Sequence, residues 1–471
     1  MPLSSRLKPR SGPKIVPSAV KSWIIKFWIP ALLIGIVAGP ARAGNGALLL
    51  IDAETGKVLQ AENATYPWYP ASVSKLMTTY VTLKAVKARR ITLDTLFTVS
   101  PNAAAQAPSK MGFKTGTQVT VDNALKMLLV HSANDIAVVL AEGVSGSVED
   151  FAEEMTGTSH ELGMTQSSWV NPNGLPAEGQ ISSARDLAIL ARALIRDFPE
   201  YDYYWHIPAI KLGRRVMRNY NKLIADYPGA DGMKTGFICA SGFNLVASAT
   251  RGNRRLIAVV LGAPSSAVRA AKAASLLEHG FNASNLSWLM PSFGTVNSLQ
   301  PINAAPPDLR EQTCGPHRKR PAAEDEDDEP AANAETDTQR AFMLSDLKGA
   351  TRGSLLTGNP LAAVPPTIVY TGPTKTALAV AAEAAAADAA ALRIKRKKPK
   401  APAKATDAAQ PTLARKPDAK TPATKPIAVK PDAAKAPGAR SDAAKPDAAK
   451  ASAAKQAKVS AAKPKVAPAT Q

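Results

Sequence analysis

Ser72 and Lys75, in the stretch Pro70-Ala71-Ser72-Val73-Ser74-Lys75, are the residues best placed to do chemistry. Pro70 disfavours helix for the residue before it, and a largely apolar run from Leu76 to Val86 follows. A helix is therefore expected to start at or near Ser72, with Ser72 and Lys75 on one face of its first turn. A serine there sits beside backbone N–H groups and the positive end of the helix dipole, which suits a nucleophile whose reaction builds an oxyanion. The same dipole disfavours the ammonium form of Lys75 and favours a neutral amine able to take the serine proton. Alone the pattern is loose, because a serine opening a helix is more often a cap.

Two further stretches complete the set. Ser132-Ala133-Asn134 falls in a break between two helical runs, and Lys234-Thr235-Gly236 lies within Asp231-Gly232-Met233-Lys234-Thr235-Gly236-Phe237. The Ser132 hydroxyl can pass a proton between the lysine and a leaving amine. The Asn134 amide both donates and accepts, and so can hold a substrate amide or Lys75. Lys234 adds positive charge that keeps Lys75 neutral and attracts a carboxylate, to which Thr235 offers a hydroxyl. Gly236 has no side chain, so a peptide can lie against that strand edge. The N–H groups of Ser72 and Phe237 are the expected oxyanion pair. A second K-T-G, Lys114-Thr115-Gly116, precedes Ser132 in a polar turn and is read as structural.

The order S-x-x-K, S-x-N, K-T-G is the signature of serine penicillin-binding proteins and serine β-lactamases. The chain resembles the D-alanyl-D-alanine carboxypeptidases of the low-molecular-mass penicillin-binding protein group. The likeness extends through Asn171-Pro172-Asn173-Gly174-Leu175, Ser182-Ser183-Ala184-Arg185-Asp186-Leu187 and Ser241-Gly242-Phe243-Asn244-Leu245-Val246, and covers residues 44–285. It implies a β-lactamase/transpeptidase-like fold at an extracytoplasmic site. It implies removal of the terminal D-alanine from peptidoglycan stem peptides through an acyl-serine, with β-lactams as inhibitors. It implies no metal and no organic cofactor. The best-known members carry a β-rich second domain and a membrane-docking amphipathic C-terminal helix, and neither pattern is visible after residue 285.

Three other readings compete. A β-lactamase of this architecture needs a deacylating base, a glutamate in one class, but Glu153, Glu154 and Glu161 fall on helical stretches that read as surface. A DD-endopeptidase would use the same site on crosslinks. A non-catalytic wall-binding protein would keep the fold, but no motif here is degenerate. His131 is read as a packed or hydrogen-bonded turn residue, the Trp68–Tyr69 pair as core or cleft wall, and Asn219 and Asn221 as cleft-lining.

The elements that must position these groups follow from periodicity. Residues 47–52 and 57–60 read as a hairpin, as do 245–250 and 256–262. Between them lie helical runs at 76–86, 120–130 with Asp122 as its cap, 134–142, 148–162 and 184–196, the last opened by the capping-box pattern Ser183-Ala184-Arg185-Asp186. A closing helix runs from Val268 to His279, stopped by Gly280. Strands at both ends with helices between predict an α/β (α+β) domain at 44–285, with one antiparallel sheet flanked by helices.

The chain has 471 residues but only 5% aromatics and 38 prolines, too little core material for a wholly globular chain. Arg6, Lys8, Arg10, Lys14 and Lys21, then an apolar run from Trp23 to Val37, then Ala41-Arg42-Ala43, read as a signal peptide over 1–43. An uncleaved anchor is the alternative, although the run is short of the ~20 residues needed to span a membrane. Export to the periplasm or the outer face of the cytoplasmic membrane makes Cys239 and Cys314 a candidate disulfide that pins the later segment beside the site, with two free thiols the alternative. Residues 286–391 read as a mostly disordered linker carrying the acidic block 324–329 and an Ala-rich stretch able to form helix. Residues 392–471 read as a disordered Lys/Pro/Ala-rich tail. Most of the net charge of +20 lies in that tail. Electrostatic contact with anionic lipid or cell-wall polymer is one role for it, and a solubilising spacer is the other. Export argues against nucleic acid.

Overall fold

The computed structural model describes residues 46–282, 293–316 and 364–396. The expected signal peptide, the acidic block and nearly all of the basic tail lie outside the described residues.

A five-stranded antiparallel sheet forms the frame: β1 (Ala47–Asp52), β2 (Val58–Glu62), β7 (Ala230–Ile238), β8 (Gly242–Arg251) and β9 (Arg254–Ala263), in the order β2-β1-β9-β8-β7. The remaining strands are β3 (Leu96–Thr98) paired with β4 (Gln118–Thr120), and the hairpin β5 (Ala209–Leu212) with β6 (Arg215–Arg218), joined by β10 (Thr367–Val369). The helices are α1 (Lys75–Lys87), α2 (Val121–Val130), α3 (Asn134–Ser145), α4 (Val148–Glu161), α5 (Ala184–Asp197), α6 (Ser266–Asn282) and α7 (Ala377–Arg396), with short helical turns elsewhere.

Alternation along the strands sends side chains to two cores. Leu49, Ile51, Val246, Ile257 and Val259 join the larger one with Trp68 and the helices that precede β7. Leu50, Leu245, Ala247, Leu256 and Val260 join the other, under Val268, Ala273 and Leu277 of α6. Both faces of the middle strands are thus covered, which is why β8 and β9 read as continuous apolar runs.

Helix α1 is buried from Lys75 through Leu83. Its three interior threonines satisfy their hydroxyls on backbone carbonyls: Thr79 on Lys75 and Thr82 on Thr78, each at 2.8 Å, and Thr78 on Pro172 at 2.6 Å. Such bonds let polar side chains sit in a core without an unpaired donor.

Several expectations are amended. Thr120, not Asp122, caps α2: its hydroxyl accepts from the Asn123 N–H, while Asp122 pairs with Lys126 at 2.6 Å and receives the Tyr204 hydroxyl at 2.8 Å. Gly280 does not stop α6. It lies inside the helix, where a Cβ would come within 2.8 Å of Leu256 and Leu50, so it is glycine for close packing on the sheet. The stretch 286–391 is not simply a linker. Val296 N–H reaches the Gly56 carbonyl at 2.8 Å, Cys314 is bonded to Cys239, and β10 completes the β5–β6 sheet. Among the described residues no helix is long and apolar enough to cross a membrane.

At the start of α5 the Ser183 hydroxyl accepts from the Asp186 N–H at 3.1 Å. The Asp186 carboxylate, however, does not reach back to the cap. It takes the Arg185 guanidinium at 2.6 Å, Gln166 N–H at 2.8 Å and the Ser167 hydroxyl at 2.9 Å. Both side chains of the ion pair are almost fully buried, at 6% and 0% exposure. Removing one member of a buried pair strands the other charge. Asp186→Ala is therefore expected to lose about 3–5 kcal/mol of stability, read as a fall in the chemical denaturation midpoint. A loss under 1 kcal/mol would show that the pair contributes little.

Candidate active site

The chain enters the site through Pro70, and Ala71–Ser74 form a single 3₁₀ turn before α1 begins at Lys75. Ser72 is thus inside the turn rather than the cap of α1. Ala71 has φ +50°, a left-handed conformation that costs a non-glycine residue energy and persists where packing over-determines it. Three contacts do so. The Ser74 hydroxyl donates to the Ala71 carbonyl at 2.8 Å. The Asn244 amide on β8 donates to the Tyr69 carbonyl at 2.9 Å. Gly174, at φ +83°, lies so close that any side chain there would strike the Ala71 carbonyl.

Lys75 is fully buried. Its Nζ lies 2.9 Å from Ser72 Oγ, 2.8 Å from Asn134 Oδ1 and 2.6 Å from the Asn173 carbonyl. Three parts of the chain distant in sequence therefore meet on one amine. Ser72 is only half-buried, so its hydroxyl can meet a ligand while the lysine stays out of water.

Asn134 is the first residue of α3. Its Nδ2 donates to the Ala107 carbonyl at 2.9 Å and its N–H to the Ser109 carbonyl at 2.7 Å, which fixes the amide with its oxygen toward Lys75. Ser132, in the same turn, is 2% exposed and has φ +57°. Its hydroxyl has no hydrogen-bond partner among the described residues, and neither does the buried Thr235 hydroxyl. Unpaired buried hydroxyls are uncommon and call for an explanation.

Lys234, Thr235 and Gly236 lie on β7, opposite Val246, Leu245 and Asn244 of β8. Lys234 is 1% exposed, and its Nζ donates to the Thr235 carbonyl at 3.0 Å. A Cβ on Gly236 would sit 2.9 Å from the backbone nitrogens of Ser72 and Val73. The strand backbone thus lies directly against the turn that carries Ser72, and only glycine permits the approach. Phe237 follows, stacked on Phe243 with ring centroids 4.3 Å apart. The strand ends at Ile238, and the next residue, Cys239, is bonded to Cys314, which ties the strand end to the segment 293–316.

The base of β7 is braced by Arg255, which reaches Asp202 at 2.7 Å and Asp231 at 3.2 Å. Burial pushes the Asp202 carboxyl up, but the His206 hydrogen bond and the Arg255 charge outweigh it and hold the group below the ordinary aspartate range. A folded-state pKa below the unfolded one gives stability that is present above the unfolded value and lost as pH falls through the folded one. Asp202→Asn is expected to flatten the acid limb of a plot of unfolding midpoint against pH. An unchanged limb would remove Asp202 from the account.

Sequence reasoning missed Asn173, because its contribution is a backbone carbonyl. The available signal was the N-P-N-G turn chemistry, with Asn171 Oδ1 accepting from the Gly174 N–H at 2.8 Å. His131 is a packed turn residue, 3.2 Å from the Tyr220 hydroxyl. Trp68 is core, its indole donating to the Ser241 carbonyl at 3.0 Å. Asn219 and Asn221 lie shortly before β7 in the chain. They brace the Ile207 and Gly232 carbonyls, and face a separate groove of about 490 Å³ that reaches Val364 and Pro366. Lys114-Thr115-Gly116 is exposed. Glu161 pairs with Lys84 and Glu154 with Arg90, and Glu153 is exposed, so none of the three joins the Ser72–Lys75 cluster. Among the described residues no group of His, Cys, Asp and Glu could hold a metal ion.

A family model described as D-alanyl-D-alanine carboxypeptidase matches residues 37–265. The D-alanyl-D-alanine carboxypeptidase DacC of Escherichia coli is 41% identical over 263 residues, covering 54% of this chain and 63% of that protein. The carboxypeptidase DacB2 of Mycobacterium tuberculosis is 30% identical over 240 residues, covering 49% of this chain and 78% of that protein. Among solved structures, penicillin binding protein 6B from Escherichia coli superposes with a TM-score of 0.49 at 37% identity, covering 53% of this chain and 80% of that one. The chain therefore spans somewhat under two thirds of DacC, and more than three quarters of DacB2. With its three motifs in order, and a relative matched over most of its length, the chain belongs to the D-alanyl-D-alanine carboxypeptidase family.

Proposed function

We propose that this protein is an exported serine D-Ala-D-Ala carboxypeptidase that removes the terminal D-alanine from peptidoglycan stem peptides. The observation that carries this reading is the amine of Lys75, buried and 2.9 Å from Ser72 Oγ. Burial disfavours an ammonium, so Lys75 takes the Ser72 proton as that oxygen attacks the penultimate D-alanine carbonyl. The tetrahedral oxyanion faces the N–H groups of Ser72 and Phe237. The peptide bond to the terminal residue breaks, its nitrogen takes a proton relayed through Ser132, and free D-alanine leaves. Water then attacks the acyl carbonyl, Lys75 takes its proton, and that proton passes to Ser72 Oγ as the ester bond breaks, which restores the hydroxyl and the neutral amine. Lys234 and Thr235 receive the substrate carboxylate, and the peptide runs beside Gly236. The unpaired hydroxyls of Ser132 and Thr235 are the groups that this scheme supplies with partners. Penicillins, whose strained amide mimics the scissile bond, acylate the same oxygen.

Export rests on the basic, apolar and small-residue pattern before residue 44 and on a disulfide suited to an oxidising compartment. We assign the Lys-rich tail a salt-sensitive contact with anionic wall polymer or lipid. Sedimentation of the full chain with cell envelopes that is indifferent to salt would remove that role.

The test is release of D-alanine from diacetyl-lysyl-D-Ala-D-Ala by the full chain. Steady release with slow penicillin turnover is expected. Rapid, repeated hydrolysis of benzylpenicillin without D-alanine release would make the protein a β-lactamase instead.

A further inference from the structure

Val369 is 1% exposed and belongs to the larger apolar core, although it lies well beyond the stretch expected to form the catalytic domain. Its strand, β10, runs parallel to β5, with Thr367 opposite Ile210, Ile368 opposite Lys211 and Val369 opposite Leu212. The residues that follow grip the helical half of the domain. Tyr370 N–H donates to Asn123 Oδ1 of α2 at 3.2 Å, Gly372 N–H to the Gln118 carbonyl of β4 at 2.7 Å, and the Thr374 hydroxyl to Asp94 at 2.5 Å. The segment thus joins the β5–β6 hairpin to the N-terminal turn of α2.

The hairpin meets α2 again at its other end. Arg215 Nη2 lies 3.4 Å from His131 Nε2, and the Tyr220 hydroxyl lies 3.2 Å from both His131 Nδ1 and Ser109 Oγ. Ser109 Oγ donates to the His131 carbonyl at 2.9 Å, and its own carbonyl takes the Asn134 N–H at 2.7 Å. The turn held by these bonds contains Ser132 in its left-handed conformation. Such a conformation is disfavoured for a non-glycine residue and needs fixed surroundings. A hairpin of two four-residue strands is marginal without a third strand. Without β10, the N–H and C=O row along that edge of β5 would face water.

We propose that residues 367–375 are a positioning segment for the reaction: docked on β5 and α2, they hold the β5–β6 hairpin against the turn that carries Ser132. This rests on the acyl-serine reading above. Val369 and Tyr370 are its positioning residues; neither touches substrate.

The experiment uses the full chain with Val369→Asp, which places a charge at a buried position and expels the segment. Two quantities are read: the second-order rate of Ser72 acylation by benzylpenicillin, and amide hydrogen exchange. Acylation is expected to fall on the order of ten- to a hundred-fold, the range that small misplacements of catalytic groups produce. Exchange should quicken at residues 209–212 and 131–136 and stay slow in β8 and β9. If exchange also quickens in β8 and β9, the variant has unfolded. Tyr370→Pro, which deletes the N–H that Asn123 receives, and the milder Val369→Ala then carry the comparison, with the same direction expected. Quickened exchange at 209–212 with acylation within about two-fold of wild type, too small a change for misplacement, would overturn the proposal. If the wild type itself forms no adduct, the acyl-serine reading fails. The segment's role is then decided by exchange at 131–136, where unchanged protection would overturn it.

Discussion

Ser72→Ala is expected to abolish both D-alanine release and penicillin labelling, a loss on the order of 10⁴-fold or more, as for removal of other serine nucleophiles. Nothing nearby can replace the oxygen. Ser74 has its hydroxyl committed to the Ala71 carbonyl, and the Ser132 hydroxyl belongs to a different turn. The same variant should keep the fold. The Ser72 side chain is half-buried, and when its hydrogen bond to Lys75 is lost the amine keeps its bonds to Asn134 and Asn173. An unfolding midpoint close to wild type, with no D-alanine released above background, is the expected pair of results. Residual activity within a hundred-fold of wild type would point to a different nucleophile.

Lys75→Met is expected to slow acylation of Ser72 by about 10²–10⁴-fold, the usual contribution of a positioned base, while leaving the nucleophile in place. Methionine approximates the stem but takes no proton, and it leaves Asn134 Oδ1 and the Asn173 carbonyl without this donor, so a modest loss of stability should accompany the change. Lys75→Arg should not rescue. A guanidinium stays charged and cannot act as base, and its fork does not fit an amine site closed on three sides. The acylation rate of the wild type should rise with pH as one group loses a proton, and Lys75→Met should erase that limb. A limb that survives in Lys75→Met would assign the proton transfer to another group.

Much of this site is legible in the residues themselves. Spacing three apart puts Ser72 and Lys75 on one turn whether that turn is α-helical or, as here, 3₁₀. The K-T-G of β7 is told from the Lys114 copy by its order, and the apolar runs of β8 and β9 announce a sheet covered on both faces. What escapes has a common cause: it depends on neighbours remote in sequence. The Asn173 carbonyl carries no side-chain signal. Ser132 occupies a left-handed position usually given to glycine, and its identity says only that a hydroxyl is present. Gly280 looks like a helix stop until Leu50 and Leu256 are placed against it. Asp122 looks like a cap until Tyr204 and Lys126 claim its carboxylate. β10 is three residues long, too short for period-two alternation to show, and composition assigns its surroundings to a linker. The Cys239–Cys314 pair, by contrast, is read from the sequence as a tie between the site and the later segment, and the structure forms it.

The most direct measurement is the mass and location of the adduct formed when the full chain meets benzylpenicillin. One equivalent of penicilloyl group on the peptide that contains Ser72, persisting long after free drug is removed, is the expected result. An unmodified chain, or an adduct mapped to any other residue, would contradict the assignment of Ser72 as the oxygen that attacks.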